Sequence, residues 1–115
     1  MAGDFPNDAD GDALRRVFLE GSDLSKPMVV DFQIALPDES SAKNLAARAE
    51  MLGYRVEIYE SPECTLPWTC ECSTRMLVSY ESVTAVQREL AEVSEPMGGT
   101  PDGWGTFGNG PLINR

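Results

Sequence analysis

A period of two in the side chains of residues 28–36 constrains the fold more than any other feature of this sequence. The segment reads MVVDFQIAL, with a large apolar side chain at every second position. Successive side chains of a β-strand point to opposite faces of a sheet, so this period of two predicts a strand with one buried face. Asp31 and Gln33 belong to the other face. The chain must therefore fold around a sheet that is buried on one side.

The remaining helical and strand patterns predict an α+β fold. The order helix, strand, helix, strand, strand, helix predicts a two-layer ferredoxin-like α/β sandwich with an antiparallel sheet and an extra N-terminal helix. In the second helix, Leu52 is expected to complete the buried stripe. A fourth strand would fall around residues 98–106, where the pattern does not decide. The predicted elements are helices over 8–20, 38–52 and from Ser82 onward, and strands over 28–36, 54–59 and 68–79.

The C-terminal segment, residues 96–115, differs in composition from the rest. Six glycines and three prolines lie between Pro96 and Pro111, interrupted by Trp104 and Phe107. Glycine disfavours a stable helix, but two large aromatic side chains are not typical of disorder. We interpret residues 1–115 as a single domain whose irregular C-terminal segment is pinned to the core by those two rings.

The charge balance limits the partners of this protein. Nineteen acidic residues against nine basic residues give a formal net charge of −10. A field of that sign repels phosphate backbones and anionic lipids, so we expect no direct nucleic-acid binding and no membrane binding. It favours a basic protein partner. No stretch approaches the roughly 18 consecutive apolar residues of a membrane span. With three cysteines, an odd number, a reducing cytoplasmic location is expected.

The sequence contains no histidine. This removes the commonest general base, the Ser–His and Cys–His nucleophile pairs, and most transition-metal sites. Glutamates 57, 60, 63 and 71 could in principle pair for acid–base work, but a solvated acidic sheet edge and loop is the commoner arrangement. We therefore predict that the protein is not an enzyme, has no catalytic residue and needs no cofactor.

The aspartates at positions 8, 10 and 12 leave two interpretations open. Their spacing is that of the opening of a calcium loop, but the sixth position is Ala13 instead of glycine and the twelfth is Leu19 instead of glutamate. Capping of the first helix explains the same carboxylates. The alternative function is a small metal-binding or ligand-binding enzyme that uses this aspartate cluster.

The three cysteines do not have the spacing of a redox pair or of a zinc site. Alternation places Cys70 and Cys72 on the same strand face as other apolar residues, where free cysteines behave as small buried hydrophobic groups. Cys64 lies in a loop that contains two prolines. It is expected to be exposed, and a thiol sensor that uses Cys64 is a third hypothesis.

Two segments carry a family resemblance: FPNDADGDAL at residues 5–14 and DGWGTF at residues 102–107. Together with the apolar first strand and a second helix that ends in Leu52-Gly53-Tyr54, they resemble the RraB family, regulator of ribonuclease activity B. The resemblance covers residues 5–111.

This resemblance implies a ferredoxin-like sandwich and a regulatory role, because proteins of this family inhibit the endoribonuclease RNase E by binding it and are not nucleases themselves. An acidic protein without a catalytic base would suit an arginine-rich partner. The oligomeric state stays open. The candidate interaction surface comprises Asp8, Asp10, Asp12, Asp102, Trp104 and Phe107.

Overall fold

The computed structural model describes residues 6–109, which form three α-helices, four strands and one short 3-10 helix. The elements are, in chain order, α1 (Ala9–Leu19), β1 (Met28–Leu36), α2 (Glu39–Met51), β2 (Arg55–Glu60), β3 (Trp68–Met76), α3 (Tyr80–Ser94), the 3-10 helix Glu95–Met97, and β4 (Thr100–Gly105).

Each α-helix begins at a side-chain cap. Asp8 and Asp38 accept hydrogen bonds from the backbone amides three residues ahead of them, which satisfies an amide that the helix itself leaves without a partner. Ser79 does the same for α3, and the Ser82 hydroxyl accepts a hydrogen bond from the Ser79 amide, which completes a capping box. The predicted start of this helix at Ser82 is therefore wrong, because the cap lies three residues earlier. The third strand was predicted to run to residue 79, but β3 ends at Met76.

The four strands form one antiparallel sheet in the order β2-β3-β1-β4. Phe32, at the centre of β1, lies opposite Cys72 of β3 and Trp104 of β4. The fourth strand, which the sequence left undecided, is thus present, and its pairing with β1 shifts register between Phe32 and Ile34. The prediction of an irregular segment from residue 96 is wrong for residues 100–105, while residues 110–115 lie outside the described part of the chain.

The helices cover one face of the sheet, and the core lies between the two layers. This arrangement confirms the α+β two-layer class with an antiparallel sheet and an N-terminal helix. The ferredoxin-like subtype stays a prediction from the order of the elements. The core side chains are Leu14, Val17, Met28, Val30, Phe32, Ile34, Leu36, Ala42, Leu45, Ala49, Cys70, Cys72, Val78, Val83 and Leu90.

The predicted burial of Leu52 is wrong, since its side chain is 49% exposed. Helix α2 ends at Met51, and Leu52 is the C-cap residue that precedes the left-handed Gly53. The chain turns away from the helix axis at this point, so the buried stripe stops at Ala49.

Candidate interaction site

Asp8, the N-cap residue of α1, forms hydrogen bonds to other parts of the protein. The side chain of Asp8 accepts a hydrogen bond from the Gly11 amide at 2.8 Å through Oδ1, and one from the Tyr80 hydroxyl at 2.7 Å through Oδ2. The hydrogen bond from the Gly11 amide, followed by that from Tyr80, lowers the pKa of Asp8. This carboxylate therefore caps α1 and ties it to α3.

Asp10 joins three elements. Its Oδ1 accepts a hydrogen bond from the indole Nε1 of Trp104 at 3.0 Å, and both of its carboxylate oxygens lie 3.1 Å from the amide nitrogen of Gln87. Helix α1, helix α3 and strand β4 meet at this one side chain. Asp12 forms an exposed ion pair with Arg15 at 2.9 Å. Two of the three aspartates thus serve tertiary packing.

The metal alternative has no support in this geometry. A metal site needs several carboxylates that point at one centre, whereas the carboxylates at positions 8, 10 and 12 turn to different partners. Within residues 6–109, no group of three or more histidine, cysteine, aspartate or glutamate side chains is arranged to hold a metal ion.

The two aromatic residues near the C-terminus have different environments. Trp104 is half-buried on β4 and packs against the core. Phe107 is 80% exposed, so the prediction that both rings pin this segment is wrong for Phe107. Asp102 is also exposed. Of the predicted interaction surface, four residues are exposed, namely Asp8, Asp12, Asp102 and Phe107, whereas Asp10 and Trp104 are partly buried.

Hydrogen bonds on both sides of Phe107 fix the backbone of this segment. On one side, the Thr106 hydroxyl donates to the Val29 carbonyl at 2.6 Å. On the other side, the Asn109 side chain accepts from the Asp23 amide at 2.7 Å and donates to three carbonyl oxygens of residues 23–27. Between them, Gly108 has a φ of +79°, and a Cβ at this position would clash with the Ser22 hydroxyl.

The face of the sheet opposite the helices, which we call the open face, carries the second set of candidate residues. Glu57 of β2 lies directly opposite Glu71 of β3. The next outward-facing pair, two residues along each strand, is Arg55 opposite Ser73. Ser73 in turn lies opposite Asp31 of β1. The open face is therefore charged, with carboxylates at its middle.

A groove of about 600 Å³ lies over part of the open face. The described residues show no ion pair at Arg55, Arg75, Glu57 or Glu71. Phe107 and Val29 both line the groove. The groove thus combines charged side chains with one exposed aromatic ring. The charged and large apolar side chains among its lining residues include Val29, Asp31, Arg55, Glu57, Glu71, Arg75 and Phe107.

Two hydroxyl groups organise the carboxylates of the open face. The Ser73 hydroxyl donates to Asp31 Oδ1 at 2.6 Å. The Tyr59 hydroxyl lies 2.7 Å from Gln33 Oε1 and 3.1 Å from Glu71 Oε1. Burial, and then the hydrogen bond to Glu71, raises the pKa of Tyr59, so the phenol stays a neutral donor.

The thiols are placed as the sequence predicted. Cys64 is exposed, whereas Cys70 and Cys72 are fully buried with their sulfur atoms 3.9 Å apart. The hydrogen bond that Cys72 shares with Cys70, followed by burial, raises the pKa of Cys72. Because the thiolate is the reactive form, this buried thiol is poorly suited to nucleophilic chemistry.

The sequence predicts that Glu57 and Glu71 lie on a solvated acidic surface, but it does not show that they face each other. The alternation of each strand places them on the outward side, but their pairing depends on the register of β2 with β3, which a single sequence does not fix. The fixed display of Phe107 was also missed, because the hydrogen bonds of Asn109 reach residues more than 80 positions earlier.

Comparison with known proteins gives one family. Residues 7–106 match the sequence model of RraB, described as regulator of ribonuclease activity B. A regulator of ribonuclease activity B from Xenorhabdus nematophila is 26% identical over 95 residues, which cover 80% of this chain and 67% of that protein. The one from Haemophilus ducreyi is also 26% identical over 95 residues, which cover 80% of this chain and 66% of that protein. The match thus spans about two thirds of the length of these relatives.

In the described part of the chain, no helix is long and apolar enough to cross a membrane.

Proposed function

Because this chain belongs to the RraB family of regulators of ribonuclease activity, we propose that it regulates RNA degradation by binding a ribonuclease and that RNase E is the enzyme it inhibits. The action is non-enzymatic. The protein occupies a surface of the ribonuclease and changes the rate at which transcripts are cleaved. We place it in the cytoplasm, where such an enzyme meets its RNA and where three unpaired thiols are stable.

The observation that carries this proposal is the family match over residues 7–106. The chemistry of the chain supports it. The sequence has no histidine, and its net charge of −10 opposes direct contact with RNA. The same charge accelerates encounter with a basic protein surface and makes the encounter sensitive to salt. A regulator that binds the enzyme instead of its RNA substrate accounts for both features.

A cleavage assay tests the proposal. Purified RNase E and a labelled RNA substrate are incubated with increasing amounts of the protein. We expect the cleavage rate to fall and then level off, and the inhibition to weaken between about 50 mM and about 300 mM salt as charges are screened. The protein alone should leave the RNA intact. A cleavage rate that does not change at any protein concentration, with no complex at low salt, would remove the ribonuclease from the proposal.

A further inference from the structure

We propose that the open face of the sheet binds an extended segment of the partner protein that carries a cationic side chain over Glu57 and Glu71 and an apolar side chain against Phe107. The identity of the partner rests on the proposed function. The binding surface and the chemistry of the segment rest on the geometry of the open face and on the charge of the chain.

The first observation is the pair of glutamates that lie opposite each other on β2 and β3. Side chains in this relation have Cβ atoms roughly 5 Å apart, and like charges so placed destabilise a sheet. Among the described residues, no lysine or arginine forms an ion pair with Glu57 or Glu71. The fold therefore retains a repulsion that an arginine or lysine from a partner would convert into two charge-assisted hydrogen bonds.

The second observation is independent of charge. Phe107 is 80% exposed, yet Thr106 and Asn109 hold the backbone on either side of it by hydrogen bonds to β1 and to the turn that precedes β1. An aromatic ring on a fixed backbone loses little conformational freedom when it is covered, which is the property of an interface anchor.

The arginines give the segment its direction. Arg75 lies opposite Val29, at the same end of the groove as Phe107, and Arg55 lies on the next row toward Glu57. Asp31 lies on the row of Arg55. That end therefore carries two cationic side chains and one carboxylate, whereas the glutamate end carries two carboxylates. A cationic side chain is therefore attracted to the glutamate end. Glu71 lies opposite Gln33 of β1, and Gln33 is four residues along that strand from Val29. At about 3.3 Å per residue this is roughly 13 Å, the span of four residues in an extended segment.

A second copy of the chain is a poorer occupant than a basic partner. Each copy carries a net charge of −10, so two copies repel each other before their open faces meet. A cationic segment is attracted by the same field. We therefore assign the open face to a basic partner segment.

Two pairs of variants with matched controls test this assignment. Phe107→Ala removes the ring, and its control is Met51→Ala, an apolar side chain that is 87% exposed at the end of α2. Glu57→Gln combined with Glu71→Gln removes two charges, and its control is Glu50→Gln combined with Glu92→Gln on the helical layer. Because the two double variants have the same net charge, a difference between them reports the place of the charges and not their sum.

The probe is a synthetic peptide that alternates arginine with threonine and carries one leucine, with glutamine in place of arginine in the control peptide. The isotopically labelled full chain is titrated with each peptide at low salt and observed by NMR. We expect the amide shifts to concentrate on β2, β3 and residues 106–109. Each open-face variant should weaken binding about tenfold, the range for losing one or two partly exposed contacts, and each control less than twofold. The melting temperature of the double glutamate variant should rise.

The same variants are then compared for binding to RNase E. If the peptide shifts the open face and RNase E does not bind, the ribonuclease assignment fails and the surface assignment stands. Three results overturn the surface assignment: no arginine-dependent shifts, shifts centred on the helical layer, or open-face variants that bind as their controls do. A dimer in sedimentation that Phe107→Ala disperses would also overturn it, since the occupant would then be a second copy.

Discussion

Replacing Trp104 should weaken the attachment of β4 to the core and lower the free energy of unfolding. Trp104 contributes in two ways: its ring packs against the core beside Phe32, and its indole nitrogen donates to Asp10 at 3.0 Å. Trp104→Ala removes both contributions, whereas Trp104→Phe removes the hydrogen bond and keeps most of the packing. The two variants therefore resolve the packing energy from the hydrogen-bond energy.

The magnitudes follow from the partial burial of the ring. Truncating a fully buried tryptophan to alanine costs about 3–5 kcal/mol, and for a half-buried ring we take about 2 kcal/mol. A hydrogen bond to a charged group contributes about 1.5–3 kcal/mol, and partial exposure reduces this one to about 1 kcal/mol. We expect Trp104→Ala to lower the free energy of unfolding by about 3 kcal/mol and Trp104→Phe by about 1 kcal/mol.

Urea denaturation followed by circular dichroism measures both values, and the fluorescence of Trp68 gives a second probe of the same transition. Asp10→Asn is the matched control, since it keeps an acceptor for the indole and should cost less than Trp104→Ala. If both Trp104 variants unfold within about 0.5 kcal/mol of the wild type, the size of an ordinary surface substitution, the ring does not anchor β4.

Three further predictions concern stability and reactivity. Gly11→Ala should lower the melting temperature sharply, because a Cβ at Gly11 clashes with the Pro6 carbonyl, and Ala13→Gly at a less crowded site on the same helix is the comparison. Hydrogen bonding lowers the pKa of Asp8 in the folded state, so the contribution of this carboxylate to stability is present above about pH 4 and is lost below it. When the free energy of unfolding is measured against pH, Asp8→Asn should therefore reduce the loss of stability in acid. An unchanged loss would contradict this. A thiol reagent should modify Cys64 rapidly in the native protein and the two buried thiols only in denaturant, and equal rates would show that those thiols are accessible.

The fold class was predictable because its signals are local. The alternation of β1 and the caps at Asp8 and Asp38 are readable within a few residues, and β1 and the first two helices lie within about two residues of their predicted bounds. The fourth strand was not decided because Gly103 and Gly105 have no side chains to alternate, so the strand is defined by its pairing with β1 instead of by its own pattern.

The candidate site was less predictable because it depends on contacts between distant parts of the chain. The aspartates of α1 could be seen as caps, but the hydrogen bond between Asp10 and Trp104 joins residues 94 positions apart. The opposition of Glu57 and Glu71 likewise appears only once the strand register is known. A charged residue can be assigned to a surface from its sequence, whereas its neighbours on that surface follow from the fold.

Calorimetric titration with RNase E tests whether this protein acts by binding a ribonuclease, as we propose. We expect saturable heat with a fixed stoichiometry, and a dissociation constant that rises several-fold between about 50 mM and about 300 mM salt as the ion pairs are screened. No heat of binding at low salt, or an affinity that salt leaves unchanged, would contradict it.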